Sequence, residues 1–168
     1  MNKTLLILDD DLHLCNALAS EFTDRGYEVY TARKVAEIPY HPFEFAIIDL
    51  RLVGHLGLDG ITVLKEQSPD CKMVVLSGYG SITTAVEAIK RGAIDYLRKP
   101  TGVDEIELAL LGLRNAAPTD VLNTPSLSEV ESEYIDHVLT RNAGNISKTA
   151  KELGLHRQSL QRKLKKYS

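Results

Sequence analysis

The sequence predicts an α/β fold built on a parallel sheet, followed by a small unit that is entirely helical. Up to about residue 113, short apolar runs alternate with segments in which apolar residues recur at helical spacing. Short continuous apolar runs are typical of strands buried on both faces, and strands that alternate with helices form parallel sheets with right-handed crossovers. Beyond residue 126 only the helical spacing remains, which predicts helices near 128–142, 146–153 and 157–166.

Apolar runs predict the strands, near residues 3–8, 27–31, 44–49, 72–77 and 94–97. The segments between the strands have helical spacing, and Gly26 is a suitable end for the first helix. The last helix of this part is predicted to run from Val103 to Leu113. Residues 34–41 allow only a short helix, because prolines interrupt the pattern.

Composition and charge divide the chain into parts with different partners. Residues 1–113 carry 11 Lys and Arg against 17 Asp and Glu, whereas residues 147–168 carry 7 against 1. A basic helical tail most often contacts phosphates. Residues 114–126 contain two prolines and little periodicity, so they are predicted to be an exposed linker. The predicted domains are therefore 1–113 and 127–168.

The sequence gives no indication of a membrane or secreted protein. No apolar stretch approaches the roughly 18 residues that a membrane span needs. The acids Asp9, Asp10 and Asp11 come too early for a signal peptide, so a cytoplasmic location is expected. Cys15 and Cys71 have no metal-binding or redox spacing, and we expect both to be buried free thiols.

Polar side chains stand at or just after the ends of four predicted strands: Asp9, Asp10, Asp49, Ser77 and Lys99. The carboxyl ends of parallel strands meet at one edge of a sheet, where ligands bind. Carboxylates at such short distances repel one another, and an all-oxygen cluster suits Mg²⁺ or Mn²⁺. With a lysine on the opposite side, the site suits a phosphoryl group that Asp49 accepts as a nucleophile.

Two other classes share parts of this pattern. A phosphatase of the haloacid dehalogenase type places a second Asp two residues after its nucleophile as acid and base. Arg51 occupies that position here, so rapid turnover is not expected. A dinucleotide-binding fold requires a G-x-G-x-x-G pattern after the first strand, which the chain lacks. It also has no Walker-A pattern, which excludes a regulator carrying its own ATPase.

Residues 1–113 resemble the receiver domain of two-component response regulators. This resemblance implies a flavodoxin-like, doubly wound parallel sheet of five strands, with a cis peptide bond before Pro100. The motif residues that carry it are Asp9-Asp10, Asp49, Ser77-Gly78, Tyr96 and Lys99-Pro100.

The resemblance also implies a role for each residue of this motif. Asp49 would be the phosphoacceptor, Ser77 and Lys99 would contact the phosphoryl oxygens, and Tyr96 would be the switch aromatic. The implied ligands of Mg²⁺ (or Mn²⁺) are Asp10, Asp49 and the backbone carbonyl of Arg51, with Asp9 helping.

Residues 146–165 have the pattern of a helix-turn-helix. Gly154 lies between two helical segments, where a tight turn needs a positive φ, and the small Ala150 lets the helices approach closely. The apolar residues predicted to share a core are Ala150, Leu153, Leu155, Leu160 and Leu164. The second helix then exposes basic and amide side chains, and its N-terminal end is the part that normally reaches base edges.

Residues 155–164 resemble the helix-turn-helix of Fis-type proteins. The resemblance implies that Arg157 reads a guanine and that the other DNA contacts come from His156, Ser159, Gln161, Arg162 and Lys163. Fis-type units bind as dimers, and helix 128–142 would supply much of the contact. Its apolar stripe fits an intramolecular core equally well: Val130, Tyr134, Ile135, Val138 and Leu139.

A receiver joined by a linker to a lone Fis-type unit is similar to the redox-responding global regulators of the RegA/PrrA/ActR type. The resemblance implies a regulator rather than an enzyme. A sensor histidine kinase would phosphorylate this regulator, which would bind double-stranded DNA as a homodimer. The alternative is an architectural DNA-binding protein whose receiver-like unit is only a platform for dimerisation. The complete set of pocket residues argues against that alternative.

Overall fold

A five-stranded parallel sheet organises the first two thirds of the chain. The computed structural model describes residues 3–52, 55–78, 82–115 and 126–167. The strands of the sheet are β1 (Lys3–Leu8), β2 (Tyr27–Ala32), β3 (Phe45–Asp49), β6 (Lys72–Ser77) and β7 (Asp95–Arg98). They lie in the order β2-β1-β3-β6-β7 and every neighbouring pair is parallel. This order confirms the predicted flavodoxin-like fold.

Helices cover both faces of this sheet: α1 (Leu12–Asp24), α2 (Leu58–Gln67), α3 (Ile82–Arg91) and α4 (Val103–Leu110). Leu5 and Ile7 of β1 pack in a core with Phe22 of α1, whereas Leu6 packs on the opposite face with Ile61 of α2. Successive strand residues point to opposite faces, so a strand covered on both sides is apolar throughout. The continuous apolar runs in the sequence have this cause.

Some element boundaries differ from the prediction. Helix α4 ends at Leu110 and not at Leu113, which is 64% exposed. Gly112 has a φ of 69°, and the Leu113 N–H donates to the Leu108 carbonyl at 2.8 Å, which ends the helix as a Schellman motif does. Strand β7 lies one residue later than predicted. The short helix expected within residues 34–41 is a 3₁₀ turn, Val35–Glu37.

A short antiparallel hairpin that the sequence did not predict follows β3. It consists of β4 (Arg51–Leu52) and β5 (His55–Leu56), each of two residues. A strand of two residues is too short to show an alternating pattern.

The C-terminal part contains α5 (Leu127–Arg141), α6 (Ile146–Glu152) and α7 (Arg157–Tyr167). Ile135, Ala150 and Leu160 form its buried core, against which the other predicted core leucines pack. Gly154 has a φ of 68° in the turn between α6 and α7, as predicted.

The predicted apolar stripe of α5 divides between two environments. Ile135 and Val138 are buried, Leu139 is half-buried, and Val130 and Tyr134 are exposed. Residues 116–125 of the predicted linker lie outside the described residues. Within the described ranges, none of the helices combines the length and apolar character needed to cross a bilayer. Cys15 and Cys71 are buried free thiols, as expected.

Candidate functional site

Three carboxylates meet at the carboxyl edge of the sheet. Residues Leu8 and Ile48 are paired in register, so the residues that follow them, Asp9 and Asp49, emerge side by side. Both are buried, with 3% and 5% of their surface exposed, and Asp10 is half-buried. Carboxylate oxygens of these three residues lie within 4.8 Å of one another. The structure therefore brings together the acids that the sequence predicted to be neighbours.

Lys99 supplies the positive charge of this cluster. Its Nζ lies 2.8 Å from Asp9 Oδ2 and 3.3 Å from Asp49 Oδ2. The Lys99 backbone N–H donates to the Ser77 carbonyl at 2.9 Å, and the Lys99–Pro100 peptide is cis, as expected. Burial alone lowers the pKa of Lys99, but the Asp49 and Asp9 carboxylates outweigh it and the net pKa is raised. Lys99 is thus held as an ammonium between the two buried acids.

The Asp49 carboxyl group is the most perturbed acid of the cluster. Burial raises its pKa from 3.8 to about 6; Lys99 opposes this rise and Asp9 adds to it. The Arg51 backbone N–H donates to Asp49 Oδ1 at 3.1 Å, which fixes one oxygen. Asp49 is therefore ionised near neutral pH but poorly solvated, a state that a nearby cation would relieve.

The donor set fits a hard divalent cation. It is made of carboxylate oxygens that repel one another, and Lys99 does not fully compensate them, because the pKa of Asp49 remains raised. Mg²⁺ and Mn²⁺ bind oxygen ligands, and Mg²⁺ commonly uses one or two carboxylates and leaves room for phosphate and water. The acidic cluster could hold such an ion beside Asp49.

Two hydroxyl groups lie on the neighbouring strands. Ser77 ends β6 and is buried, and Tyr96 lies on β7, where it is half-buried and paired in register with Val75. The Tyr96 hydroxyl oxygen is enclosed and lies close to Ser77; burial raises the pKa of Tyr96, and Ser77 opposes that rise. The structure therefore brings the Ser77 and Tyr96 hydroxyl groups together at the carboxyl edge of the sheet.

Gly57 is a residue of the site that the sequence did not single out. A Cβ atom on Gly57 would lie 2.0 Å from the backbone oxygen of Asp49. The Gly57 N–H donates to the Leu50 carbonyl at 3.1 Å, so the loop is held against the end of β3. The presence of a glycine was visible in the sequence, but its contact with Asp49 was not.

The predicted DNA-contacting residues lie on or next to α7, apart from the acidic cluster. His156, Arg157, Gln161 and Arg162 are exposed, and Ser159 is half-buried. Lys163 is also half-buried, and its Nζ lies 2.6 Å from Glu131 Oε1 of α5. Lys163 would have to leave this ion pair to contact a phosphate group.

Two acids of α5 also escaped the sequence-based prediction, because nothing in the sequence pairs them with the first domain. Asp136 forms an ion pair with Arg51. Glu133 accepts a hydrogen bond from Thr84 Oγ1 of α3 at 2.9 Å. Helix α5 is thus connected to the domain that carries the acidic cluster.

Comparison with known proteins agrees with both parts of this description. Residues 5–111 match the family described as "Response regulator receiver domain", and residues 126–167 match "Bacterial regulatory protein, Fis family". The fold and site thus define the class of response regulators.

Relatives that match nearly the whole chain identify the family within the class of response regulators. The chain is 42% identical to the photosynthetic apparatus regulatory protein RegA of Cereibacter sphaeroides, over 99% of this chain and 93% of RegA. It is 41% identical to the acid tolerance regulatory protein ActR of Rhizobium meliloti, over 98% of this chain and 87% of ActR. The chain belongs to the RegA/PrrA/ActR-like family of response regulators, which are DNA-binding regulators rather than enzymes.

A solved structure matches this chain over nearly its whole length. It is a response regulator from Burkholderia pseudomallei with a phosphorylated aspartic acid, a calcium ion and citrate, 38% identical in sequence. The match has a TM-score of 0.64 and covers 96% of this chain and 98% of that one.

Proposed function

We propose that this protein is a transcription regulator whose Asp49 accepts a phosphoryl group from a sensor histidine kinase. The observation that carries the proposal is the convergence of Asp9, Asp10, Asp49 and Lys99 at one sheet edge, in a chain that also has a helix-turn-helix. The proposed division is a receiver at 1–113, a linker at 114–126 and a DNA-binding domain at 127–168. Binding to the chromosome would make it a cytoplasmic protein.

The chemistry proposed for Asp49 is a direct phosphoryl transfer. A carboxylate oxygen of Asp49 forms a bond to phosphorus while the P–N bond of the donor phosphohistidine breaks. The released imidazole nitrogen takes up a proton from solvent. Arg51 stands where a phosphatase would have its acid and base, so the aspartyl phosphate would persist as a signal.

Mg²⁺ (or Mn²⁺) would be held by Asp10, Asp49 and the Arg51 backbone carbonyl, with Asp9 helping. Such an ion would neutralise charge on the transferring phosphoryl group. Mg²⁺ should raise the melting temperature of the unphosphorylated protein, and Asp10→Asn should reduce that rise. An equal rise in both proteins would contradict the assignment.

Lys99 and Ser77 would contact the phosphoryl oxygens once Asp49 is modified. Lys99 Nζ is already 3.3 Å from Asp49 Oδ2, which supports this role. If Ser77 turned toward the phosphoryl group, Tyr96 would be the aromatic that follows it. The closeness of its enclosed hydroxyl group to Ser77 supports a role as a switch.

The DNA-binding domain would place α7 in the major groove. Arg157 at its N-terminal end would read a base, and the remaining contacts to bases or phosphates would come from His156, Ser159, Gln161, Arg162 and Lys163. A homodimer would span two half-sites. On α5, Leu127 is 91% exposed and Tyr134 is 61% exposed, and a second copy of the chain could cover this apolar surface.

The experiment that tests the proposal is intact-mass analysis after incubation with acetyl phosphate and Mg²⁺. The wild-type protein should gain about 80 Da, the mass of one phosphoryl group. Asp49→Asn should gain nothing, while Asp70→Asn, at an exposed aspartate, should label like the wild type. No gain in the wild type, or undiminished labelling of Asp49→Asn, would refute the proposal.

Footprinting on DNA with and without BeF₃⁻ separates regulation from the architectural alternative. BeF₃⁻ mimics a phosphoryl group on an aspartate. Tighter or more extended protection with BeF₃⁻ is expected of a phosphorylation-dependent regulator. Equal protection in both conditions would favour an architectural protein.

A further inference from the structure

The third acid of the loop that follows β1 begins the first helix. Asp11 is the N-cap residue of α1, and its Oδ1 accepts hydrogen bonds from the His13 N–H at 2.9 Å and the Leu14 N–H at 3.1 Å. The N–H groups of the first helical turn have no partner within a helix, and a side-chain oxygen of the N-cap residue commonly supplies one. The Asp11 carboxylate therefore fixes the start of α1.

The backbone of Asp11 contributes to the contacts that hold Asp9. The Asp11 N–H donates to Asp9 Oδ1 at 2.9 Å, and Lys99 Nζ donates to Asp9 Oδ2 at 2.8 Å. The Cys15 thiol donates to the Asp9 carbonyl at 3.2 Å, and the Asp9 N–H donates to the Ala32 carbonyl at 3.1 Å. Asp9 is thus fixed through its backbone and through both of its carboxylate oxygens, and one of these bonds comes from Asp11.

Asp10 lies between these two anchored residues. Its carboxylate belongs to the cluster that fits a divalent cation, together with the carboxylates of Asp9 and Asp49. The bonds that fix Asp9 and Asp11 also set the direction of the chain at Asp10. Because Mg²⁺ requires a nearly octahedral arrangement of its ligands, a small displacement of one carboxylate lowers the affinity.

We propose that Asp11 is a positioning residue of the cation site: by capping α1, it holds the turn from Asp9 to Asp11 in the conformation in which Asp10 binds the cation. This inference rests on the proposed function, in which Asp10 and Asp49 hold Mg²⁺ (or Mn²⁺). The Asp11 side chain acts through the backbone and does not touch the cation. Without the cap, the first turn of α1 opens more often, and the cation binds only the closed fraction of the molecules.

Two substitutions separate the hydrogen bonds of Asp11 from its charge. A negative charge near a cation site attracts the cation without any contact, so loss of the charge alone must be controlled. Asn is as good an N-cap residue as Asp, so Asp11→Asn keeps the cap and removes the charge. Asp11→Glu keeps the charge, but its carboxylate lies one methylene group farther from the backbone and Glu is not a preferred N-cap residue.

The test is a titration of the full chain with Mn²⁺ in the absence of a phosphoryl donor. Electron paramagnetic resonance measures the ion directly, because the sharp signal of free aqueous Mn²⁺ falls as the ion binds. Asp11→Glu should raise the dissociation constant of Mn²⁺ about three- to ten-fold, the factor expected from loss of an N-cap. Asp11→Asn should remain within about two-fold of the wild type, because it keeps the cap.

Asp24→Asn is the matched control for the change of charge. Asp24 is the last residue of α1 and is exposed, so the substitution removes one negative charge from the opposite end of the same helix. It should leave the dissociation constant of Mn²⁺ at the wild-type value.

Urea denaturation without metal separates a positioning role from a purely structural one. Both roles predict that Asp11→Glu lowers the free energy of unfolding, because an N-cap is lost in either case. Only the positioning role predicts that Asp11→Glu also binds Mn²⁺ more weakly and that Asp11→Asn restores the affinity. A destabilised Asp11→Glu protein that binds Mn²⁺ as tightly as the wild type would overturn the inference.

The outcomes distinguish failure of this inference from failure of the proposed function. If the wild type binds Mn²⁺ and gains phosphoryl mass, but Asp11→Asn and Asp11→Glu weaken Mn²⁺ binding equally, the inference is overturned and the proposed function stands. Absence of both Mn²⁺ binding and phosphoryl mass in the wild type would refute the proposed function itself.

Discussion

Replacing Asp49 by asparagine should stabilise the unphosphorylated, metal-free protein at neutral pH. The rise of the Asp49 pKa from 3.8 to about 6 means that the folded state binds a proton more tightly than the unfolded state. The contribution of Asp49 to stability is then fully present below its ordinary pKa of 3.8 and is lost as the pH rises through about 6. That difference corresponds to about 3 kcal/mol of unfolding free energy once Asp49 is fully ionised. Asp49→Asn carries no such charge and should gain up to this amount at pH 8.

The measurement is urea denaturation at pH 8 and pH 4.5 in the presence of a chelator, followed by far-ultraviolet circular dichroism because the chain has no tryptophan. The gain of Asp49→Asn over the wild type should be largest at pH 8 and mostly absent at pH 4.5. The matched variant Asp70→Asn, at an exposed aspartate, should change stability by no more than about 0.5 kcal/mol. A gain that is equal at the two pH values, or a loss at pH 8, would show that burial of the Asp49 charge is not the cause.

Four other substitutions test separate parts of the structure. Gly57→Ala places a Cβ atom against the Asp49 carbonyl and should cost about 1–3 kcal/mol in urea denaturation; wild-type stability would contradict the tight approach. Leu160→Ala opens the small core of the DNA-binding domain and should cost about 2–5 kcal/mol and abolish DNA binding, while phosphoryl labelling persists. In gel-shift titrations, Arg157→Ala should relax base preference by about 1–3 kcal/mol, whereas Lys163→Ala should weaken all sequences alike; identical patterns for the two variants would contradict their assigned roles.

The sequence predicted the sheet and the acidic cluster for the same physical reason. Apolar runs mark strands covered on both faces, and the polar residues that end those runs share one edge of a parallel sheet. Asp9 and Asp49 therefore had to be neighbours if β1 and β3 were. The strand order itself was not readable from periodicity and came from the resemblance to receivers.

The sequence did not predict the contacts that α5 makes. Periodicity indicated an apolar stripe on this helix, but it could not say that Ile135 faces the core while Tyr134 faces solvent. The sequence also could not predict the ion pair between Arg51 and Asp136. It depends on how two domains meet, and charged side chains far apart in sequence carry no periodic signal of their pairing.

The ammonium of Lys99 gives the acidic cluster an internal counter-ion. It holds Asp9 and Asp49 at 2.8 and 3.3 Å and joins β7 to β1, two strands that are not neighbours in the sheet. One ammonium group therefore links the carboxyl ends of three strands, β1, β3 and β7, at the edge of the sheet where phosphorylation is proposed.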